Sequence, residues 1–309
     1  MKKLELLLVA FAIVAIGGCG GDDALTGLPE VPDLEYGGGD FLQLMDYQGR
    51  ARGYTVHIPT TASEDVAAPL LIMLHGVGQD APGLRSLAGI EEHTDDLGWI
   101  VVYPDGIDES WAVGTETSAD VQGVDDVGFI DRMIDRIDAR LNIDRERVFA
   151  AGLSNGALMT HRLACELGGD IRGIASVAGA MYTGLASGCN PSRPVPAMFI
   201  NGDDDDFFPW GGFPAGGGER IMGVLETVDW WAVENGCGSP VTTDLPDVAA
   251  DGTTVELIDY VDCTSGAPVR LYAVENGGHT WPGRGGIGRT SLDIDGNVEI
   301  LGFFGASLP

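Results

Sequence analysis

Apolar residues fall along this chain in short runs separated by longer amphipathic stretches. Residues 69–74, 99–103, 147–151, 173–177 and 195–200 are apolar almost throughout, and residues 54–58 and 269–274 are mixed but rich in β-branched and aromatic side chains. Runs this short, bounded by Gly, Pro or Asp, predict strands, and the apolar ones predict strands buried on both faces. Between them, residues 84–97 predict a helix that Gly98 ends. Residues 126–141 carry Ile130, Met133, Ile134, Ile137 and Leu141 at helical spacing, and residues 157–164 predict a helix with Gly168 and Gly169 just past its end. Strands alternating with helices predict an α/β fold, with a mostly parallel sheet covered on both faces.

The chain starts differently. Met1-Lys2-Lys3 precedes an apolar run from Leu6 to Ile16, followed by Gly17-Gly18-Cys19. A charged start, an apolar core and small residues before a cleavage point predict an export signal over 1–18, too short to span a bilayer comfortably. Ile16-Gly17-Gly18-Cys19 resembles a bacterial lipobox, in which cleavage leaves Cys19 as the lipid-bearing first residue. Residues 19–40, rich in Gly, Asp and Pro, predict a flexible tether. Residues 41–309 then form one catalytic-sized domain, with no internal repeat and no second apolar run long enough for a span. The expected setting is exported, lipid-anchored to the envelope or extracellular, with the membrane reached only through the anchor.

Charge narrows the partners. Acidic residues number 47 against 17 basic ones, a net charge of −30, and Lys2 and Lys3 are the only lysines. Such a surface repels nucleic acid and anionic lipid. Beyond Cys19 there are four cysteines, an even number that favours two disulfides in an exported protein. Cys165–Cys189 and Cys237–Cys263 are the expected pairs. Each brackets a local excursion from the sheet and closes a loop of about 25 residues, for which the chain-entropy estimate is about 3 kcal/mol. None of the four has the close spacing of a zinc site.

Candidate chemistry centres on Gly152-Leu153-Ser154-Asn155-Gly156, a G-x-S-x-G pentapeptide between a predicted strand and a predicted helix. A serine on such a turn projects its hydroxyl above the sheet, and the flanking glycines leave room for neighbouring chain. In parallel sheets the ligand site lies beyond the carboxyl ends of the strands, so partners should follow other strands. His279, in the Gly-flanked loop 275–282, is the expected general base. His57, His93 and His161 sit in elements that favour packing or solvation, and His75 a structural hydrogen bond. The orienting acid is expected in Asp203-Asp204-Asp205-Asp206, after the strand at 195–200, and these residues alone leave all four open. Calcium is the rival reading of this cluster, but consecutive carboxylates cannot all turn to one ion. Asp293-Ile294-Asp295-Gly296 is expected to cap the last helix. His75-Gly76-Val77-Gly78 offers an oxyanion N–H from Val77, alongside that of Asn155. No metal or cofactor is expected.

Leu74-His75-Gly76, Val102-Tyr103-Pro104-Asp105-Gly106 with Ser110-Trp111, Val124 to Phe129, the Ser154 pentapeptide and Gly278 to Gly283 occur in the order of one family. From about Tyr54 to Phe304 the chain resembles the extracellular polyhydroxybutyrate depolymerase and feruloyl esterase group of the α/β-hydrolases. The resemblance implies a serine carboxylic-ester hydrolase working through an acyl-enzyme. The group's acid loop, H-G-x-x-D-x-x-x-P, selects Asp205 when laid on Asn201 to Pro209, with Asn201 departing from the common histidine. It also implies that Trp281 lines the acyl or alcohol pocket, and Trp111, with Trp210, Trp230 and Trp231, offers further apolar surface. The expected substrates are 3-hydroxyalkanoate oligomers of the depolymerase type or, alternatively, feruloyl or acetyl esters on plant polysaccharide. The absence of an added polymer-binding domain favours soluble esters or oligomers. A catalytically silent surface-binding lipoprotein on the same fold is the rival class, separable by a fluorophosphonate probe.

Overall fold

The structure is a computed structural model that describes residues 28–215 and 218–306. The expected signal peptide, Cys19 and the first part of the tether lie outside the described residues. In chain order the elements are β1 (Gly39–Tyr47), β2 (Arg50–Ile58), β3 (Ala68–Leu74), α1 (Ala81–Ala88), α2 (Glu91–Leu97), β4 (Ile100–Pro104), α3 (Ser118–Val121), α4 (Asp126–Asp138), β5 (Ile143–Leu153), α5 (Asn155–Glu166) and β6 (Gly173–Val177). They continue with α6 (Thr183–Ala186), β7 (Ala197–Gly202), β8 (Phe213–Pro214), β9 (Arg220–Ile221), α7 (Val224–Glu234), β10 (Val241–Asp244), β11 (Thr254–Tyr260), β12 (Val269–Glu275), β13 (His279–Trp281), β14 (Gly285–Ile287) and α8 (Gly296–Ala306).

Ten strands form one sheet in the order β1-β2-β4-β3-β5-β6-β7-β12-β11-β10. The six from β4 to β12 run parallel, while β1 and β2 at one edge and β10 and β11 at the other run antiparallel. The parallel strands are the apolar runs of the sequence, because both their faces are covered. Alternate residues of β3 show this directly. Leu70, Ile72 and Leu74 pack into the layer of α4, α5 and α7, and Leu71 and Met73 into the layer of α1 and α8.

The departures lie at the edges and the breaks. Strands β1, β10 and β11 carry many exposed or half-exposed positions, so no apolar run marks them. The helix expected over 84–97 is two helices. Gly89 adopts the left-handed conformation (φ 55°) and its N–H closes on Arg85 O, ending α1 before α2 begins. The strand at 269–274 is the last of the large sheet, but the β13–β14 hairpin follows it. Residues 28–38, expected as tether, lie against the domain. Leu34 is buried, Gln43 donates to Pro32 O at 2.7 Å, and the Asn142 N–H donates to Tyr36 Oη at 2.6 Å. Asp295 Oδ1 accepts the Asn297 N–H at 2.9 Å, capping α8 as expected.

Both expected disulfides are present, Cys165–Cys189 joining the end of α5 to the approach to β7, and Cys237–Cys263 joining the segments after α7 and β11. No described helix is long and apolar enough to cross a membrane.

Candidate active site

Ser154 occupies the turn between β5 and α5 with φ 59° and ψ −120°, a region that non-glycine residues rarely enter and that costs about 1–3 kcal/mol. Its N–H donates to Val177 O at 2.9 Å, tying the turn to the end of β6. The flanking glycines are sterically required. A Cβ at Gly152 would overlap the Gly156 carbonyl, and one at Gly156 would overlap the Leu74 carbonyl. The tight turn leaves the serine at the carboxyl end of β5, at the head of a helix whose first N–H groups have no intrahelical acceptor.

The loops after β7 and β12 bring an acid and a base together. His279 Nδ1 and Asp205 Oδ2 lie 2.7 Å apart, with Asp205 4% exposed and His279 9% exposed. The other Asp205 oxygen accepts the N–H groups of Phe207 at 2.8 Å and Phe208 at 2.9 Å. Asp203, Asp204 and Asp206 are exposed, and Asp203 instead accepts the Asn276 N–H at 2.6 Å. The two loops touch through their glycines, since a Cβ at Gly202 would overlap the Gly277 carbonyl oxygen, which also accepts the Asp204 N–H at 2.9 Å. The rings of Phe207 and Phe208 pack on the imidazole, Phe208 stacked at 5.8 Å between centroids and 14° between planes. No described hydrogen bond joins Ser154 to His279, a contact that catalytic pairs often tighten only around substrate.

Behind the serine, His75 organises the facing loop. Its Nε2 accepts the Gly106 N–H at 2.9 Å and its Nδ1 lies 2.8 Å from Gly76 O, an arrangement that calls for the neutral ring. Burial lowers its pKa in the same direction. Trp111 Nε1 donates to His75 O at 2.9 Å, and the Trp111 N–H to Asn155 Oδ1 at 2.7 Å. The loop carrying Val77 is thus braced against the first residue of α5. A Cβ at Gly76 would lie 3.2 Å from Ser154 Cβ, so this loop passes directly over the serine. The Val77 N–H donates to no described group.

The cavity at Ser154 has a volume of about 300 Å³ and is lined by Val77, Asn155, Leu158, Phe208, Phe213 and Ile221, with Thr115 and Thr117 at one side. This corrects the expected substrate residues. Trp111 and Trp281 are both 0% exposed. Their ring nitrogens are used internally, Trp281 Nε1 donating to Asn297 Oδ1 at 2.9 Å, so they brace the site from within the core rather than face a ligand. Apart from Asn155 and Leu158 of α5, the residues that line the cavity come from loops and two-residue strands without periodicity. The one signal was Phe207-Phe208, directly after the acid cluster in a loop that follows a strand.

A buried ion pair was also unforeseen. Arg52 Nη2 and Asp126 Oδ1 lie 2.6 Å apart, and Asp126 Oδ2 accepts the Ala112 N–H at 2.8 Å beside Trp111. The Arg52 guanidinium lies 3.8 Å over the Phe129 ring, and its Nε and Nη1 find no acceptor among the described residues. Burial pulls its pKa below the usual arginine value against the pull of Asp126. The remaining histidines do not approach the serine. His57 bridges Asp40 and Asp95, His93 meets Arg284, and His161 is fully buried with Nδ1 accepting from Trp231 Nε1 at 3.0 Å. No group of His, Cys, Asp and Glu suited to a metal occurs among the described residues.

Residues 52–190 match the model of the esterase PHB depolymerase family. The chain is 31% identical over 248 residues to the putative esterase NocK of Nocardia uniformis subsp. tsuyamanensis, covering 76% of this chain and 72% of that one. It is 29% identical over 238 residues to feruloyl esterase B of Piromyces equi, covering 74% of this chain but only 42% of that protein. Among solved structures, the acetyl xylan esterase from Aspergillus awamori shares the fold with a TM-score of 0.58 at 16% identity, over 82% of this chain and 94% of that one. A relative of this similarity across most of both chains, together with an α/β-hydrolase sheet, makes this chain a member of the polyhydroxybutyrate depolymerase family of esterases, a carboxylic ester hydrolase.

Proposed function

We propose that the protein is an exported serine carboxylesterase, with Ser154 as nucleophile, His279 as general base and Asp205 as its orienting acid. The observation that carries the reading is the buried Asp205–His279 hydrogen bond, at the same end of the sheet as a serine held at positive φ. Ser154 Oγ bonds to the ester carbonyl carbon while its proton passes to His279 Nε2. The oxyanion formed accepts the N–H groups of Val77 and Asn155. The alcohol then leaves with the proton from Nε2, and water repeats the sequence on the acyl-serine to release the acid.

The match of residues 52–190 to the esterase PHB depolymerase family supports the depolymerase-type reading of the substrate. The apolar cavity of about 300 Å³ at Ser154 has room for a 3-hydroxybutyryl unit. The second reading, a feruloyl or acetyl esterase on plant polysaccharide, draws on the aromatic wall of Phe208 and Phe213 and on the feruloyl and acetyl xylan esterases among the relatives. Export and lipidation at Cys19 form part of the same proposal, supported by the sequence of residues 1–19 and by the two disulfides.

A fluorophosphonate probe should label the wild type at Ser154 and leave Ser154→Ala unlabelled and inactive on p-nitrophenyl butyrate. Turnover in that variant comparable to wild type would remove Ser154 from the mechanism. Parallel rates on a hydroxybutyrate oligomer and on methyl ferulate decide between the substrate readings, the oligomer being the faster in the depolymerase-type case.

A further inference from the structure

One excursion of chain, between β7 and α7, supplies both the acid and much of the wall facing the serine. After Asp205 it contributes Phe208, Phe213, Pro214, Ala215 and Ile221 to the cavity. Phe213 pairs with Ile221 across the β8–β9 hairpin, and Ile221 also bridges to Tyr182. The root of the hairpin is tied down. Gly212 N–H donates to Pro209 O at 2.8 Å, Val224 N–H to Trp210 O at 2.9 Å, and Met222 N–H to Met181 O at 2.9 Å. Gly212 turns at φ 77°, and a Cβ there would overlap the Ile221 carbonyl. The backbone is thus held at the hairpin's root, and the side chains of Phe208 and Phe213 meet whatever enters the cavity.

Those side chains are coupled to the base. Phe213 meets Phe208 edge to face, with centroids 5.4 Å apart and planes at 81°, and Phe208 in turn stacks on His279. The Phe208 N–H also holds Asp205 Oδ1 at 2.9 Å. A substrate group that presses on Phe213 thus presses, through one ring, on the imidazole and on the backbone that aims the acid.

We infer that Phe213 sets the size of the acyl group this esterase accepts, and that the Phe213–Phe208–His279 stack converts an oversized group into a loss of turnover. The inference rests on the Ser154–His279–Asp205 reading. Binding of a longer chain remains favourable because the cavity wall is apolar, so KM does not rise. What fails is the alignment of His279, on which proton transfer depends in both steps. Phe213 touches the acyl group, and Phe208 acts as a positioning residue.

The test is a series of p-nitrophenyl esters from acetate to octanoate, on wild type, Phe213→Ala and Phe213→Leu. In wild type kcat should fall with acyl length beyond butyrate while KM does not rise, since each added methylene in apolar contact strengthens binding. In Phe213→Ala the octanoate-to-acetate ratio of kcat/KM should rise by about tenfold or more over that of wild type, the ratio being the readout whatever the absolute turnover. Phe213→Leu should lie between the two, and carries the test if the alanine variant loses its near-UV circular dichroism. An unchanged chain-length profile in a folded variant would overturn the inference. So would a wild-type penalty residing in KM alone, or equal losses on every ester in a folded variant. Ser154→Ala on the same esters keeps the two levels apart. Activity there would sink the underlying site, whereas an inert Ser154→Ala beside an unchanged Phe213→Ala profile would sink only the size limit.

Discussion

Replacing Asp205 by asparagine exchanges one oxygen for an NH₂ group and changes almost no volume, yet no orientation of the amide satisfies this site. Oδ1 accepts two backbone N–H groups and Oδ2 faces His279 Nδ1. If the amide nitrogen turns toward Phe207 and Phe208, donors face donors and two hydrogen bonds to a charged acceptor are lost, each worth about 1.5–3 kcal/mol. If it turns toward His279, the imidazole must accept at Nδ1 and carry its proton on Nε2, the nitrogen that takes the proton of Ser154 in the proposed mechanism. The same exchange in serine protease triads costs about 10⁴ in kcat, equivalent to about 5.4 kcal/mol of barrier. Asp205→Asn should therefore lower kcat on p-nitrophenyl butyrate by about 10³- to 10⁴-fold, with the thermal midpoint close to wild type because the wrong-tautomer orientation preserves the backbone bonds. Asp203→Asn keeps an oxygen for the Asn276 N–H, and Asp204 and Asp206 are exposed, so those three variants should stay within about tenfold. Asp205→Asn within tenfold of wild type, or Asp206→Asn as damaging as Asp205→Asn, would refute the assignment of the acid.

Gly202→Ala should destabilise by about 2–3 kcal/mol and reduce turnover as well, because the new methyl must push the Gly277 carbonyl, and with it the base loop, away from the acid loop; urea unfolding and kcat measured together check this. His161 carries an acid-sensitivity of known sign. Burial lowers its pKa to about 3, so the stability it confers is present above the unfolded value near 6.5 and is lost as pH falls toward 3, by about 1.4 kcal/mol per unit. The stability gap between wild type and His161→Asn should accordingly narrow from pH 6.5 to pH 4.5, and a gap independent of pH would contradict it. Mass spectrometry of the exported protein after alkylation should find a lipidated Cys19 at the amino terminus and no alkylated cysteine among Cys165, Cys189, Cys237 and Cys263.

Local chemistry made much of this molecule legible before any coordinates. Strands buried on both faces must be apolar at every position, so β3, β4, β6 and β7 stand out as runs, and helices resting on a sheet must be apolar on one side, so α4 shows its spacing. The serine turn is legible for a related reason: its strain is solved within five consecutive residues, Gly152 to Gly156. The disulfide pairs were legible because each closes a short loop around a single excursion. Tertiary structure decided whatever depends on partners distant in sequence. Four adjacent aspartates are equivalent as a string, and only the meeting of Gly202 with Gly277 turns Asp205 toward His279. Trp111 and Trp281 look like ligand surface by type, but their indoles find His75 O and Asn297 inside the fold, while Phe208, Phe213 and Ile221 line the cavity from a loop without periodicity. The edge strands β1, β10 and β11 escaped notice because one-sided or exposed strands need no continuous apolar run; their place comes from backbone pairing with neighbours that the sequence does not name. Residue type and spacing determine the elements and the kind of chemistry, because both arise from interactions within a few residues. The pairing of Asp205 with His279, the wall of the pocket and the bracing of the Val77 loop arise from contacts across the sheet, and those exist only once it has folded.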